Sequence, residues 1–212
     1  MKRLFPILLI LLSVSPLVQA QDFEGVITFG ISYPDLTPEM KAMEASLPKE
    51  MSYHIKGNKT KMEQPVMGGS VIVLFDGNTG TTETYTDVMG QKVKTVATKE
   101  DLDKTLSEQS EMKVQILEEE KEVAGYSCKK AIITQEGQPE LTIYYSEEIN
   151  VESITSLSPQ FKDLKGFPLE YSVAANGMSM QMIAKKVESQ SIDDAVFQAP
   201  EGDYREMPAF GN

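Results

Sequence analysis

Cysteine, histidine and tryptophan are almost missing from this chain of 212 residues, which contains one Cys, one His and no Trp. One Cys cannot form a disulfide within the chain, and one His cannot supply the ligand sets of most zinc sites. The sequence also lacks the spacings of a nucleophile elbow, a phosphate-binding loop or a metal-binding helix. It therefore predicts a protein that is not an enzyme and that carries no cofactor or metal.

Basic residues are also few: the chain has 20 Lys and Arg and 32 Asp and Glu, which gives a formal net charge of −12. Proteins that bind nucleic acid neutralise phosphates with basic side chains, so this balance excludes nucleic acid as a partner. It also disfavours electrostatic docking on anionic lipid. With 41% hydrophobic and 25% charged residues, the composition is that of a globular protein.

Only one long apolar run occurs, and it stands at the start of the chain. Lys2 and Arg3 precede the apolar segment 4–12, and Val18-Gln19-Ala20 follows as a small-residue cleavage site. This order is typical of a secretory signal peptide, and the run is shorter than the ~20 residues that cross a bilayer. We expect cleavage after Ala20, one domain over 21–212 without a transmembrane span, and a periplasmic or secreted location. A retained membrane anchor is the alternative.

Short segments of alternating apolar residues predict β-structure. Residues 23–33 alternate, with Ile27 and Phe29 on one side, and Pro34 ends the segment. Further strand segments with turn signals extend to Ser146, which is typical of an antiparallel sheet or barrel.

Two short helices interrupt this series of strands. Thr37-Pro38-Glu39 marks the start of the first, whose apolar stripe includes Met40 and Met43. Thr98 precedes the second, which extends from Lys99 to about Ser107. Helices inserted among antiparallel strands predict the α+β class.

The strongest local signal is a β-hairpin near the end of the chain. Asn176-Gly177 separates two alternating segments, and a two-residue loop fixes which residues stand opposite each other. Ala175 should face Met178, Val173 should face Met180, and Tyr171 should face Met182. The hairpin therefore presents one apolar face with three Met in a row.

Three interpretations of this Met stripe remain open. Methionine packs irregular cores, it forms adaptable walls for apolar ligands, and thioethers also bind Cu(I). If the stripe lines a hydrophobic cavity, its candidate residues are Met178, Met180, Met182, Tyr171, Val173, Phe29, Met40 and Met43. Cys128 is interpreted as a small buried apolar residue and His54 as a strand residue, and the sequence assigns neither a role.

Several segments resemble an uncharacterised family of exported Gram-negative proteins that is allied to the GLPGLI-type proteins. Gly166-Phe167-Pro168-Leu169 stands where the allied proteins carry their Gly-Leu-Pro-Gly core. The other matching segments are 23–28, 55–60, 123–131, 143–149, 165–171 and 197–204. The resemblance implies a half-barrel like LolA and LppX: a strongly curved antiparallel β-sheet with short helices that cover its concave face.

These expectations lead to three hypotheses about function. The first is a non-enzymatic periplasmic protein that carries or senses a lipid or another hydrophobic ligand. The alternative is a structural or interaction domain of the cell envelope with a filled core and a protein partner. A lesser alternative is copper binding through Met178, Met180 and Met182. Because cavity-lining and core residues are of the same types, the sequence does not choose among them.

Overall fold

The structure is a computed structural model that describes residues 22–107, 111–151, 161, 163–175 and 178–208. Side chains are described throughout these ranges except at 105–107, 174 and 175. The signal peptide expected at 1–20 and the turn expected at Asn176-Gly177 lie outside the described residues. Within the described ranges, none of the helices is long and apolar enough to cross a membrane.

The described chain consists mainly of β-strands, with two α-helices and two short 3₁₀ turns, at Glu44–Ser46 and Asp194–Phe197. The elements are β1 Gly25–Ser32, α1 Pro38–Lys41, β2 Glu50–Lys56, β3 Lys59–Val66, β4 Gly69–Asp76, β5 Thr81–Val88, β6 Gln91–Ala97, α2 Lys99–Ser107, β7 Met112–Val123, β8 Tyr126–Gln135, β9 Leu141–Ser146, β10 Phe167–Ala175, β11 Met178–Ser189 and β12 Arg205–Pro208.

All twelve of these strands form one sheet, in the order β12-β6-β5-β4-β3-β2-β1-β11-β10-β9-β8-β7. Every neighbouring pair is antiparallel except β12 and β6, which are parallel. The prediction of a largely antiparallel sheet with few helices is confirmed. The sheet has two edges, β12 and β7.

The sheet curls at the β7 side. β7 and β11 are four strands apart, which is about 19 Å in a flat sheet. Their residues nevertheless approach within 8 Å between Cα atoms. We call β1, β2 and β7–β11 the curled half, and β3–β6 the wing. The face of the sheet that lies inside the curl is the inner face.

The main hydrophobic core fills the curled half. Strand β1 shows the predicted alternation, with Ile27, Phe29 and Ile31 buried in this core. Gly166, immediately before β10, lies so close to the carbonyl of Ser146 that a Cβ would collide with it. The Gly-Phe-Pro-Leu motif therefore begins with Gly for a steric reason.

The helices begin as predicted but do not account for the core. Oγ1 of Thr37 accepts a hydrogen bond from the Met40 N–H at 3.4 Å, and Pro38 is in the first turn of α1. With only four residues, α1 buries none of its side chains, and neither does the turn Glu44–Ser46. The described residues thus do not show helices that cover the concave face. The inner face is packed instead by the β9–β10 connection, through Ile149, Val151, Phe161 and Leu164.

Candidate functional site

The strand register shows which face of the wing continues the core. Ile27 stands opposite Tyr53 of β2, and Tyr53 stands opposite Met62 of β3. Met62 stands opposite Val73 of β4, which in turn faces Thr84 of β5. Because opposite residues of antiparallel strands project to the same side, all of these lie on the inner face. The inner face of the wing consists of Thr60, Met62, Gln64, Val66, Gly69, Val71, Val73, Phe75, Thr82, Thr84, Thr86, Val88, Gln91, Val93, Thr95 and Ala97.

No residue on this face is charged, although 25% of the chain is charged. A sheet face that meets water normally alternates with a buried one and carries polar and charged side chains. The inner face of the wing carries Val, Thr and Met instead. The inner face of the wing is therefore an uncharged surface that extends over four neighbouring strands.

The inner face of the wing is not filled in the way that the curled half is filled. Met62, Val71, Val73 and Val93 are only half-buried, whereas Thr60, Phe75 and Ala97, at the ends of the strands away from the β3–β4 and β5–β6 turns, are buried. Neither of the two core clusters among the described residues includes a residue of this face. The wing thus offers uncharged surface with room for further contacts.

The outer face of the wing has the opposite character. It carries charged side chains on every strand, including Lys61, Glu63 and Glu83. Its small buried cluster, formed by Ile72, Leu74 and Tyr85, packs against Tyr204 from the segment that precedes β12. The segment that precedes β12 therefore packs on the outer face of the wing.

Aromatic and charged contacts hold this terminal segment in place. The rings of Tyr85 and Tyr204 meet edge to face, with centroids 5.1 Å apart, and Nζ of Lys92 lies 5.3 Å from the Tyr204 ring centroid. Tyr85 donates a hydrogen bond to Glu83 at 2.6 Å, and Lys94 donates another at 2.8 Å. Burial alone would raise the pKa of Glu83, but these two hydrogen bonds outweigh it and hold the pKa below its ordinary value.

The structure places the predicted Met hairpin in the curled half, with the predicted register. Tyr171 stands opposite Met182, Val173 opposite Met180, and Ala175 opposite Met178. Met182 is 8% exposed and belongs to the core, whereas Met178 and Met180 are half-buried. The stripe therefore runs outward from the core.

Aromatic rings occupy the space beside this hairpin. The Phe29 ring lies 6.0 Å from Tyr171 and 5.8 Å from Tyr53, and Phe161 lies 5.4 Å from Tyr171, measured between centroids. Burial raises the pKa of Tyr53 and, more strongly, that of Tyr171, so both hydroxyls stay neutral. The structure thus brings Phe29, Tyr171 and Met182 together as packing partners.

The other two predicted residues, Met40 and Met43, lie in the β1–β2 connection. Met40 is half-buried, and Met43 is 63% exposed. Neither is among the residues of the core clusters. The sequence grouped them with the hairpin because of their apolar stripe, but a four-residue helix is too short to carry that stripe into the core.

The two ends of the curled half differ. One end, which we call the closed end, is packed by the β9–β10 connection. At the other, the open end, Met112, Leu141 and Val173 are half-buried and line a cleft of about 260 Å³ together with Ser172 and Ser179. The connections β1–β2, β3–β4 and β5–β6 lie at this same end, as the strand pairings require. Met178 and Met180, at the start of β11, therefore lie at the open end.

Cys128 and His54 do not form a reactive site. Cys128 is fully buried, and burial raises the pKa of its thiol to about 11. His54 lies on the outer face of β2, where burial and then Lys61 lower its pKa. No group of three or more His, Cys, Asp or Glu that could hold a metal is found among the described residues.

Sequence reasoning missed the inner face of the wing. The signal was present in the alternation of residues 81–88, where Thr and Val occupy every second position and charged residues fall between them. Only the register across several strands shows that these uncharged positions lie on one face.

The family model of a domain of unknown function, DUF4412, matches residues 23–204. The chain belongs to this family. The expected membership in an uncharacterised family is therefore confirmed. No curated protein matches the sequence significantly.

Comparison with solved structures finds matches at low sequence identity. A structure of PNGF-II is 17% identical, with a TM-score of 0.52, and the match covers 87% of this chain and 31% of that one. The Pseudomonas aeruginosa MucA/MucB complex is 11% identical with a TM-score of 0.43, covering 85% and 57%. A β-barrel-like protein of Brucella abortus is 8% identical with a TM-score of 0.41, covering 81% and 99%. The chain spans about a third of the length of PNGF-II.

Proposed function

We propose that the protein is a non-catalytic binding protein that holds a hydrophobic ligand of the acyl-chain class against the inner face of the wing. The observation that carries the proposal is the uncharged inner face of β3–β6, which is half-buried at Met62, Val71, Val73 and Val93 and continues the core face of the curled half. A ligand laid on Val71, Val73 and Val93 would take the place that core side chains take elsewhere in the sheet.

Apolar burial alone is sufficient for such binding. Each buried methylene of an acyl chain is worth ~0.8 kcal/mol, so sixteen carbons offer ~12 kcal/mol before the costs of ordering are subtracted. No nucleophile, metal or charged pair is required. This agrees with the scarcity of Cys and His in the sequence, and we propose that the protein is not an enzyme.

The half-barrel supplies an enclosure for this ligand in our proposal. Helix α2 lies in the connection from β6 to β7. In the sheet, β6 is next to the edge strand β12, and β7 is the opposite edge strand. We propose that α2 and α1 lie towards the concave side and complete the enclosure. Met178 and Met180 at the open end would form its adaptable rim, because unbranched thioethers fit irregular apolar ligands.

The location that we propose is the periplasm or the exterior of the cell. The support is the basic start, short apolar run and small-residue site in residues 1–20. A carrier of a hydrophobic ligand has a use there, between membranes or at their surface. Sequencing of the amino terminus of the exported protein tests this location, since cleavage after Ala20 is expected and an intact Met1 would contradict it.

Binding of a dansyl-labelled undecanoic acid tests the proposed function. Val73 on the inner face and Val96 on the outer face are both half-buried strand residues. We expect Val73→Lys to weaken binding at least tenfold and Val96→Lys to leave it unchanged. Circular dichroism would confirm that both variants fold. Equal losses in both variants, or no binding by the unaltered protein, would contradict the proposal.

A second candidate function is an envelope interaction domain that carries no ligand. The close aromatic packing of Phe29, Tyr171 and Phe161 favours it, because the interior of the curled half is occupied by side chains. The partner would then use an exposed sheet edge, such as β7 with Ile116, which is 49% exposed. This function predicts that the dansyl probe does not bind and that Ile116→Lys abolishes partner binding.

Copper binding by the hairpin stays the lesser proposal. Met178, Met180 and Met182 project to one side of β11, which is the arrangement that it needs. Replacement of all three with Leu should abolish Cu(I) uptake while the fold persists, and unchanged uptake would end the idea.

A further inference from the structure

The three most exposed of the large apolar side chains among the described residues are all methionines. Met43 is 63% exposed, Met67 is 56% exposed and Met89 is 75% exposed. Met51 and Met182, by contrast, are 4% and 8% exposed. The described methionines thus range from fully protected ones to three that solvent reaches freely.

The exposed set lies at the open end of the sheet. Met43 is in the β1–β2 connection, Met67 is in the β3–β4 turn, and Met89 is in the β5–β6 turn. The last two turns are neighbours, because the Met89 N–H donates a hydrogen bond to the Gly68 carbonyl at 2.9 Å. A Cβ on Gly68 would lie 3.2 Å from Cγ of Met89. The Met89 side chain therefore lies beside the turn that carries Met67.

Neither packing nor backbone conformation explains a methionine at position 89. Its φ is +52°, in the left-handed region where Gly, Asn and Asp are favoured. Its side chain is mostly in water, so it gains little from apolar burial. A polar turn residue would suit both conditions better, and the same Val-Met-Gly sequence occurs at both turns.

Two other sulfur atoms among the described residues are less available. Cys128 is fully buried, so oxidants and thiol reagents do not reach its sulfur. Met207 is 41% exposed, but its Sδ accepts a hydrogen bond from Nη2 of Arg205 at 3.5 Å. This hydrogen bond engages one of the two sulfur lone pairs and makes the sulfur a weaker nucleophile.

We propose that the open end is a site of methionine oxidation, in which Met43, Met67 and Met89 take oxygen from oxidants of the peroxide class. The sulfur lone pair attacks one peroxide oxygen, the O–O bond breaks, and a sulfur–oxygen bond forms. The proton on the transferred oxygen passes to the leaving hydroxide, which becomes water. The thioether loses two electrons and becomes a sulfoxide, while hydrogen peroxide is reduced to water. Because no deprotonation of sulfur is needed, no neighbouring base is required.

Oxidation at these positions leaves the core intact. A sulfoxide at Met67 or Met89 projects into water, so its polar oxygen is solvated. The same oxygen on Met51 or Met182 would be buried among apolar side chains, which destabilises a protein. The open end therefore changes from apolar to polar while the sheet keeps its structure.

Site-resolved mass spectrometry after limited treatment with hydrogen peroxide tests this proposal. Trypsin releases Met62, Met67 and Met89 in one peptide, from Met62 to Lys92, so the half-buried Met62 is an internal control. We expect Met67 and Met89 to oxidise at least fivefold faster than Met62. Met43 should oxidise at a rate similar to theirs, and Met51 and Met182 should oxidise most slowly. Circular dichroism should be unchanged after the first three equivalents of oxygen are incorporated.

A double variant tests whether the fast phase of peroxide consumption comes from these sulfur atoms. Met67→Leu with Met89→Leu keeps the apolar turns and removes both sulfur atoms, and it should remove two equivalents from the fast phase of peroxide consumption. The control Met207→Leu should leave the fast phase unchanged. Oxidation of Met62 as fast as Met89, or loss of the fold in the fast phase, would overturn the proposal.

Discussion

The curled half and the wing are parts of one sheet, but their inner faces are used differently. In the curled half, Phe29, Tyr171 and Met182 belong to a continuous core. In the wing, the same face carries half-buried Val71 and Val73, and the buried cluster lies on the outer face, under Tyr204. An uncharged strand face can thus be filled by the chain itself or left available, and this difference locates the proposed binding surface.

The largest expected effect is on the stability of the curled half. Phe29→Ala should lower the free energy of unfolding by ~3–5 kcal/mol, because it empties a fully buried ring from the core. Val73→Ala in the wing should lower it by less than ~1.5 kcal/mol, because that side chain is only half-buried. Chemical denaturation of both variants measures the difference. Similar losses would mean that the inner face of the wing is packed like the core.

The next effect concerns the segment that covers the outer face. Tyr204→Ala removes a ring that packs on Tyr85 and lies under Lys92, so we expect a loss of ~1–2 kcal/mol. Hydrogen exchange should increase in β12 and β6 but not in β8. Tyr204→Phe keeps the ring and serves as the control. Faster exchange throughout the sheet would show that the wing and the curled half unfold as one unit.

A smaller effect on the free energy of unfolding is expected when the pH is lowered. The pKa of Glu83 is lowered in the folded protein from an ordinary value of 4.5, so its contribution to stability is present above that pH. The contribution is lost as the pH falls through the lowered pKa, and we expect a change of ~0.5–1 kcal/mol for this partly exposed group. Glu83→Gln should remove this part of the pH dependence. An identical acid response in the variant would exclude Glu83 as its source.

The smallest effect compares two turns of the same type in the two regions. Met89 in the wing and Ala124 in the curled half both have a φ of +52°, and Gly follows each. Replacement of either residue with Gly relieves the left-handed conformation and should stabilise the fold by up to ~1 kcal/mol. Thermal denaturation of Met89→Gly and Ala124→Gly measures this. Destabilisation by Met89→Gly alone would reveal a packing role for the Met89 side chain.

Local patterns in the sequence predicted much of the fold. The alternation of Ile27 and Phe29, the Thr37 cap and the register of Val173 opposite Met180 each depend on neighbouring residues or on a two-residue turn, and the structure has them. The family resemblance added the curl of the sheet, which no local pattern contains.

The sequence could not predict which parts of the inner face are filled. Val73 and Ile27 are similar residues in similar alternating strands, yet one is half-buried and the other is fully buried. Their difference arises from the β9–β10 connection, which brings Phe161 and Leu164 into the curled half only. Such a contact joins residues that are far apart in the chain, so it leaves no signal in either strand.

Methyl NMR of the protein during titration with hexadecanoic acid tests the central claim most directly. If the inner face of the wing binds acyl chains, the methyl signals of Met62, Val71, Val73 and Val93 should shift together and saturate. The signals of Ile72, Leu74 and Val96 on the outer face should stay in place. Shifts confined to the outer face, or no shifts at saturating acid, would contradict the account.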